Sequence, residues 1–332
     1  MNTSFKAYNI GNYLYMQYMP QQENNQSKES LSTIEIDGSD SYSLVQYIQS
    51  EIVTHKKSLA IFTETAFDAR RLMEEMLWFS PDLKINLLPD WETLPYDHFS
   101  PHPDLISERL LTLYQVTQKS FDVVIIPVTT ALHLLPPKSY IQQFSFHFSK
   151  GQKVDIEAFK NQLILNGYMN VVRVMAPGEF SVRGSLIDLF PMGSIVPYRL
   201  DFFDNEIDSI RTFDVDSQRT LYPINEIKLL PARECPMDEK SISIFRQNYR
   251  ERFEGDPSRS SIYKDISKGI PIGGIEWYMP LFFEEMSDIF SYFSDNTIIY
   301  KHGNLDLACS HFWHETEKRF RLFAYDAERP IL

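Results

Sequence analysis

The chain has 332 residues, 43% of them hydrophobic and 23% charged, so we expect two or three globular domains rather than a disordered or fibrous chain. Asp and Glu outnumber Lys and Arg by 45 to 32, which excludes a generally basic surface for nucleic acid but not a local basic patch. The two cysteines cannot form a disulfide framework, and they favour a reducing, cytoplasmic location.

The beginning of the sequence predicts neither export nor a membrane anchor. A basic start followed by an apolar core, as in signal peptides, is absent. No run of about 18 apolar residues exists, so we expect no membrane partner. Residues 1–33 include the polar run PQQENNQSKESL, and we interpret them as a flexible leader.

From residue 34 onward, short apolar runs alternate with amphipathic segments. The apolar spacing predicts helices over 44–52, 66–79 and 103–116, and strands over 59–63, 85–88 and 122–128. Thr130 is expected to cap a further helix after the last of these strands. Regular alternation of strand and helix is typical of a parallel α/β sheet, so we predict such a sheet here.

Near residue 143 the apolar period changes to two, since Phe144, Phe146 and Phe148 alternate with polar residues. A helix is predicted over 156–165, followed by short strands over 170–175, 179–184, 186–190, 198–203 and 209–214. Residues 143–231 therefore predict an α+β domain with an antiparallel sheet. Beyond them the pattern predicts helices over 242–253, 262–268 and 305–322, and a strand over 297–300.

The sequence offers little for catalysis or cofactor binding. None of the 12 glycines is followed by lysine, which excludes a Walker A phosphate loop, and no GxSxG nucleophile motif occurs. Cys309, His311 and His314 could hold zinc in a metal hydrolase, but the histidines are three apart rather than four. We favour the alternative, an amphipathic helix whose polar face carries these residues. We predict no catalytic residue, no cofactor and no metal.

Two strands of the predicted antiparallel sheet carry arginine and an aromatic residue on the outer face. In YRLDFF, alternation places Arg199 and Phe203 opposite the core residues. In EFSVRG it places Ser181 and Arg183 outward, with the apolar residues inward. Arginines beside an exposed aromatic residue are typical of protein-binding hot spots. The alternative is that a loop or a neighbouring domain covers Phe203.

Four strings carry a more specific signal: LPDWETLPYDHFSPHPDLISERL at 88–110, GSLIDLFPMGS at 184–194, PYRLDFFDNEIDSIRTFDVDSQRT at 197–220 and LLPARE at 229–234. Together they resemble the bacterial transcription-repair coupling factor (Mfd) family, and the likeness runs from about residue 34 to the end. Members of that family are much longer. The sequence is therefore similar to their N-terminal, UvrB-like module alone.

The resemblance implies a fold like that of the excision-repair protein UvrB. That fold is α/β, with a degenerate helicase-like (P-loop NTPase-like) parallel-sheet domain, split by an inserted α+β domain with an antiparallel sheet. Residues 34–142 would form the first part of the degenerate motor domain, residues 143–231 the UvrA-binding insert, and residues 232–332 the returning part of the motor domain.

The resemblance also implies a function without catalysis: recruitment of UvrA to RNA polymerase stalled at DNA lesions. The family's UvrA-contacting positions fall on Arg183, Arg199 and Phe203. The full-length parent would be an ATP-dependent DNA translocase that also binds RNA polymerase and DNA, and its C-terminal part would cover the UvrA surface in an intramolecular contact.

Departures from UvrB are equally informative. IDGSDSYSLV stands where UvrB has its phosphate loop, and TIIYKHGN stands where it has an acidic metal-binding pair. The segment WETLPYDHFSP is too short for UvrB's DNA-clamping hairpin. A residual nucleotide-binding or DNA-binding domain is the alternative prediction, motivated by the helicase-like layering.

Overall fold

The computed structural model describes residues 41–55, 57–326 and 328–332, so the predicted leader lies outside the described residues. The α-helices are α1 Ser41–Tyr47, α2 Ala66–Phe79, α3 Pro103–Thr117, α4 Val128–Ala131, α5 Lys138–Gln143, α6 Ile156–Leu165, α7 Glu239–Arg252, α8 Ser261–Ser267, α9 Ile289–Tyr292 and α10 Leu305–Phe323. A π-helical segment, Ile48–Val53, continues α1, and 3-10 helices cover Pro257–Arg259 and Ile275–Leu281.

The strands are β1 Ser58–Thr63, β2 Ile85–Leu87, β3 Val123–Pro127, β4 Phe146–Ser149, β5 Met169–Asn170, β6 Glu179–Arg183, β7 Leu186–Phe190, β8 Tyr198–Phe203, β9 Glu206–Phe213, β10 Thr220–Ile224, β11 Glu226–Leu229 and β12 Thr297–His302. They form three sheets that belong to two compact units. The first unit contains the described part of residues 1–87 with residues 121–133 and 293–316, and the second contains residues 88–120, 134–292 and 317–332.

A four-stranded parallel sheet, in the order β12–β1–β3–β2, forms the centre of the first unit. All side chains of β3 are buried, as expected of a parallel strand covered on both faces, which is why it appears in the sequence as a continuous apolar run. The prediction of a parallel α/β sheet is confirmed. Since residues 134–292 of the second unit lie between β3 and β12 in the sequence, the sheet is split along the chain.

Helix α2 packs on this sheet with Leu72 and Met76 in the core of the first unit. The helix begins after Thr65, whose hydroxyl accepts a hydrogen bond of 3.0 Å from the backbone N–H of Asp68. The predicted cap at Thr130 is wrong. Helix α4 begins directly after Pro127, without a side-chain cap, so Thr130 lies inside the helix.

The second unit contains a six-stranded sheet in the order β10–β9–β8–β7–β6–β5. Neighbouring strands are antiparallel except for β5 and β6, so the predicted antiparallel sheet is confirmed. The predicted strand over 170–175 is wrong, because only Met169 and Asn170 pair with β6. Val174 instead packs with Phe190 and Phe213 in a small cluster, which draws the segment out of the ladder.

One face of the six-stranded sheet is covered by α6. The ring of Phe159 on this helix lies 4.6 Å from that of Phe148 on β4 and 6.4 Å from that of Phe202 on β8, between ring centroids. Helix α6 starts where the carboxylate of Asp155 accepts a hydrogen bond from the N–H of Ala158, at 2.7 Å. All three rings of this aromatic layer lie within the predicted insert.

A buried ion pair joins α3 to the segment after β11. Arg109 donates from Nε to Glu234 Oε1 at 2.8 Å and from Nη1 to the carbonyl of Pro89 at 2.7 Å. The second oxygen of Glu234 accepts a hydrogen bond from the indole N–H of Trp91 at 2.8 Å. Two of the four recognised strings, 88–110 and 229–234, therefore meet at this ion pair.

Candidate protein-interaction surface

The predicted site residues lie on neighbouring strands at the outer face of the six-stranded sheet. Asp188 on β7 pairs with Arg199 on β8. Arg183 on β6 pairs with Leu186 on β7, which pairs in turn with Asp201 on β8. Because alternate residues of a strand point to opposite faces, these polar residues share the face away from the aromatic core under the sheet. The register thus places both predicted arginines on one side of the sheet.

A single carboxylate receives both arginines. Asp188 is buried, with 1% of its side chain exposed. Arg199 donates to it from Nε at 2.6 Å and from Nη2 at 2.9 Å, a bidentate arrangement. Arg183 donates to the same carboxylate from Nη2. The two guanidinium groups therefore share one negative charge.

Arg199 is more enclosed than strand alternation implies. Its Nη1 donates to the carbonyl of Gln218 at 3.3 Å and to Thr220 Oγ1 at 3.2 Å, and its guanidinium lies 5.0 Å from the ring centre of Phe213. Hydrogen bonding to Asp188 raises the pKa of the guanidinium. Only 17% of the side chain is exposed, against 51% for Arg183. Alternation gives the face correctly but says nothing of the segment that covers it.

Phe203 ends β8 and is exposed, with 75% of its surface accessible. It pairs with Glu206 across a tight turn in which Asp204 has a φ of +53°. The alternative in which a loop covers Phe203 does not hold within the part of the chain that the structure describes. An exposed phenylalanine at the end of a strand is an apolar contact available to a partner.

The role of Asp188 was not predicted from the sequence, and Ser181 lies on the predicted outer face but is covered. Asp188 stands in LIDLF, which reads as a core strand, and the one signal was a lone acidic residue in that apolar run. Ser181 shares the face of Arg183, as predicted, but it is buried there and its hydroxyl donates to the carbonyl of Val172 at 3.3 Å. The segment after β5 covers this part of the outer face.

The residues of the zinc alternative lie along α10. His311 and His314 are exposed, and burial raises the pKa of the half-buried Cys309 thiol. Within the described ranges, no group of three or more His, Cys, Asp or Glu side chains is placed to hold a metal ion. Across those same ranges, no helix combines the length and apolarity that crossing a bilayer requires.

Comparison with known proteins shows which family the six-stranded sheet resembles and which proteins are similar to the chain. Residues 146–235 match the family described as the UvrB interaction domain. Over 279 residues it is 44% identical to the transcription-repair-coupling factor of Escherichia coli, a match covering 84% of this chain and 24% of that protein. The Haemophilus influenzae factor is 43% identical over 290 residues, covering 85% of this chain and 25% of that protein.

A more distant relative shows the same pattern of coverage. The Bacillus subtilis transcription-repair-coupling factor is 25% identical over 257 residues, which cover 73% of this chain and 22% of that protein. The chain is similar to transcription-repair-coupling factors over most of its own length, and it spans about a quarter of the length of these relatives.

Proposed function

We propose that this chain is a non-catalytic interaction module of transcription-coupled nucleotide excision repair. It binds UvrA through Arg183, Arg199 and Phe203, and so recruits UvrA to RNA polymerase stalled at a DNA lesion. The observation that carries the proposal is the outer face of the antiparallel sheet, where two arginines and an exposed phenylalanine lie within the residues that match the UvrB interaction domain family.

The chemistry of the three side chains suits a protein partner. Guanidinium groups recognise carboxylates and backbone carbonyls through their fork of N–H donors. Phe203 offers an aromatic ring that gains free energy when it enters an apolar pocket. The UvrA surface that fits would therefore combine acidic or carbonyl acceptors with an apolar depression.

The remaining assignments belong to the longer protein of which we propose that this chain is a part. RNA polymerase and DNA are its partners, and ATP-dependent translocation is its activity. In this organisation residues 34–142 and 232–332 are the two parts of a degenerate motor domain, and residues 143–231 are the UvrA-binding insert. The split parallel sheet supports that order.

Binding to UvrA tests the proposal directly. Wild type is compared with a triple variant, Arg183→Ala, Arg199→Ala and Phe203→Ala, after circular dichroism has established that both are folded. We expect the variant to bind at least about 10-fold more weakly, because hot-spot residues of these types typically contribute 2 kcal/mol or more each. Equal binding by the two proteins would show that UvrA binds through other residues of the chain.

A matched triple variant controls for the loss of charge and apolar surface. Phe67 is 75% exposed, as Phe203 is, and Arg71 and Arg321 are exposed arginines outside the insert. Replacing these three by alanine removes the same groups at other places. We expect UvrA binding by this control to stay within about 2-fold of wild type, since exposed ion pairs contribute little.

Residual nucleotide or DNA binding is the second candidate, because the first unit retains a parallel sheet. Ligands of such sheets bind at the carboxyl ends of the strands. There the carboxylate of Glu64, just after β1, accepts a hydrogen bond from the N–H of Asn304 at 3.1 Å, which places negative charge where a phosphate would lie. Titration with an ATP analogue and with duplex DNA, at about 150 mM salt, decides this candidate.

A further inference from the structure

The buried carboxylate under the candidate surface belongs to Asp188. We propose that Asp188 is a positioning residue that holds Arg183 and Arg199 on one face for the partner. The inference rests on the proposed function for the identity of that partner. Asp188 itself is 1% exposed, so it acts through the arginines rather than by touching UvrA.

Charge and burial give the first argument. A carboxylate this deeply buried is stable only when it is paired and hydrogen-bonded. Asp188 achieves this with three N–H donors, two from Arg199 and one from Arg183. One negative charge then faces two positive charges, so Asp188, Arg183 and Arg199 together keep a net positive charge.

The second argument is the division of donors between the arginines. Arg199 uses Nε, Nη1 and Nη2 within the insert, which fixes the plane of its guanidinium. Arg183 uses only Nη2 among the described residues, and half of its side chain is exposed. Arg183 is therefore tethered at one nitrogen and can donate from the others.

The third argument is the entropy of binding. A free surface arginine loses about 1–2 kcal/mol of rotamer freedom when a partner fixes it. An arginine already tethered by Asp188 loses less, which is why a buried acidic anchor under two arginines favours binding. The anchor also keeps the two guanidinium groups close together against their mutual repulsion.

Two variants and one control separate this role from a general effect of charge. Asp188→Asn keeps the size of the side chain but removes its charge, and Asp188→Glu keeps the charge. Asp208 is an exposed aspartate on β9 with no ion pair among the residues that the structure describes, so Asp208→Asn makes the same change in net charge without touching an arginine.

The first readout needs no partner. In ¹⁵N spectra of the unbound chain, the Nε–H of Arg199 should exchange with water at least about 10-fold more slowly than that of Arg211, an exposed residue opposite it on β9. Asp188→Asn should remove this protection, while Asp188→Glu and Asp208→Asn should retain it. Equal exchange at the two arginines in wild type would overturn the proposal even if Asp188→Asn did not fold.

The second readout is affinity for UvrA. We expect Asp188→Asn to weaken binding about 10-fold, and Asp208→Asn to change it less than 2-fold. In a background carrying Arg183→Ala and Arg199→Ala, Asp188→Asn should cause no further loss, because the residues through which it acts are gone. An equal loss in both backgrounds would show that Asp188 acts elsewhere, and the proposal would be wrong.

The two readouts also separate this proposal from the proposed function. A folded wild-type chain that does not bind UvrA would contradict the proposed function, and the exchange of the Arg199 Nε–H would still decide whether Asp188 holds the arginines. Binding that is lost in the triple alanine variant but unaffected by Asp188→Asn would keep the proposed function and reject the positioning role.

Discussion

At the scale of single residues, Glu276 carries the clearest pH dependence. Burial raises the pKa of its carboxyl to about 7, and the negative charge of Glu234 adds to this. A hydrogen bond of 2.9 Å from Ser100 and the positive charge of Arg233 act in the opposite direction without cancelling it. The folded state therefore binds a proton at Glu276 at pH values where the unfolded chain has released it.

The sign of the effect on stability follows from this difference. Between the unfolded-state pKa of about 4.5 and the folded-state pKa of about 7, the folded chain holds more protons, so stability falls as pH rises through this window. Glu276→Gln does not titrate and should gain about 2 kcal/mol of unfolding free energy relative to wild type between pH 5 and pH 8.

Urea unfolding at the two pH values measures this gain, and Glu285→Gln, a change at an exposed glutamate, is the control. Other titrating groups change equally in wild type and variant, so the difference between the proteins isolates Glu276. A gap between wild type and Glu276→Gln that stays constant with pH would show that Glu276 is ionised in the folded state throughout.

At the scale of elements, the turn at residues 273–274 makes backbone contact with the segment before α3. Gly274 has a φ of +73°, and a Cβ there would clash with the backbone carbonyl of Asp97. Gly184, in the two-residue turn between β6 and β7, also has a positive φ, of +63°, but a Cβ there would meet nothing within 4 Å. Alanine at Gly184 would therefore add only backbone strain, whereas alanine at Gly274 would add both backbone strain and steric overlap.

We expect Gly184→Ala to lower the unfolding free energy by about 1 kcal/mol, since alanine is strained in the left-handed region. Gly274→Ala should lower it by about 3 kcal/mol, because displacement of a backbone carbonyl adds to the same strain. Denaturant unfolding of both variants measures the difference. Similar losses would mean that the segment at residues 95–100 moves away without strain.

Elements of regular period could be predicted from sequence, and exceptions arose where tertiary packing decided the structure. Helix α2 was predicted with its observed bounds, because its apolar spacing and the proline that follows it are local signals. The segment after β5 was predicted as strand because it is rich in valine. It leaves the sheet because Val174 packs against Phe190 and Phe213, which are distant in sequence.

The candidate surface was likewise predictable from local sequence only in part. Period-two alternation places Arg199 and Phe203 on the outer face, since this needs only the strand itself. The pairing of Arg199 with Asp188 depends on the register between β7 and β8, and its enclosure depends on the later residues Gln218 and Thr220. No local pattern contains this information.

At the scale of the whole molecule, the ends of the predicted insert lie side by side. Strand β4, near its start, pairs antiparallel with β11, near its end, with Phe146 opposite Leu229. Adjacent ends allow a domain to be inserted into another without disturbing either fold. The predicted insert also contacts the rest of the second unit. One such contact is a hydrogen bond of 2.7 Å from the N–H of Gly193 to Ser107 Oγ.

We therefore expect residues 143–231, expressed alone, to fold and to bind UvrA within about 3-fold of the affinity of the whole chain, because Arg183, Asp188, Arg199 and Phe203 all lie inside this segment. Its melting temperature should be lower, since the surface around Gly193 loses its cover. Circular dichroism and binding measurements, with the Arg183, Arg199 and Phe203 triple alanine variant of the fragment as control, check both points. A fragment that stays unfolded would mean that α3 and the ion pair between Arg109 and Glu234 belong to the same folding unit as the sheet, and that these boundaries for the insert are wrong.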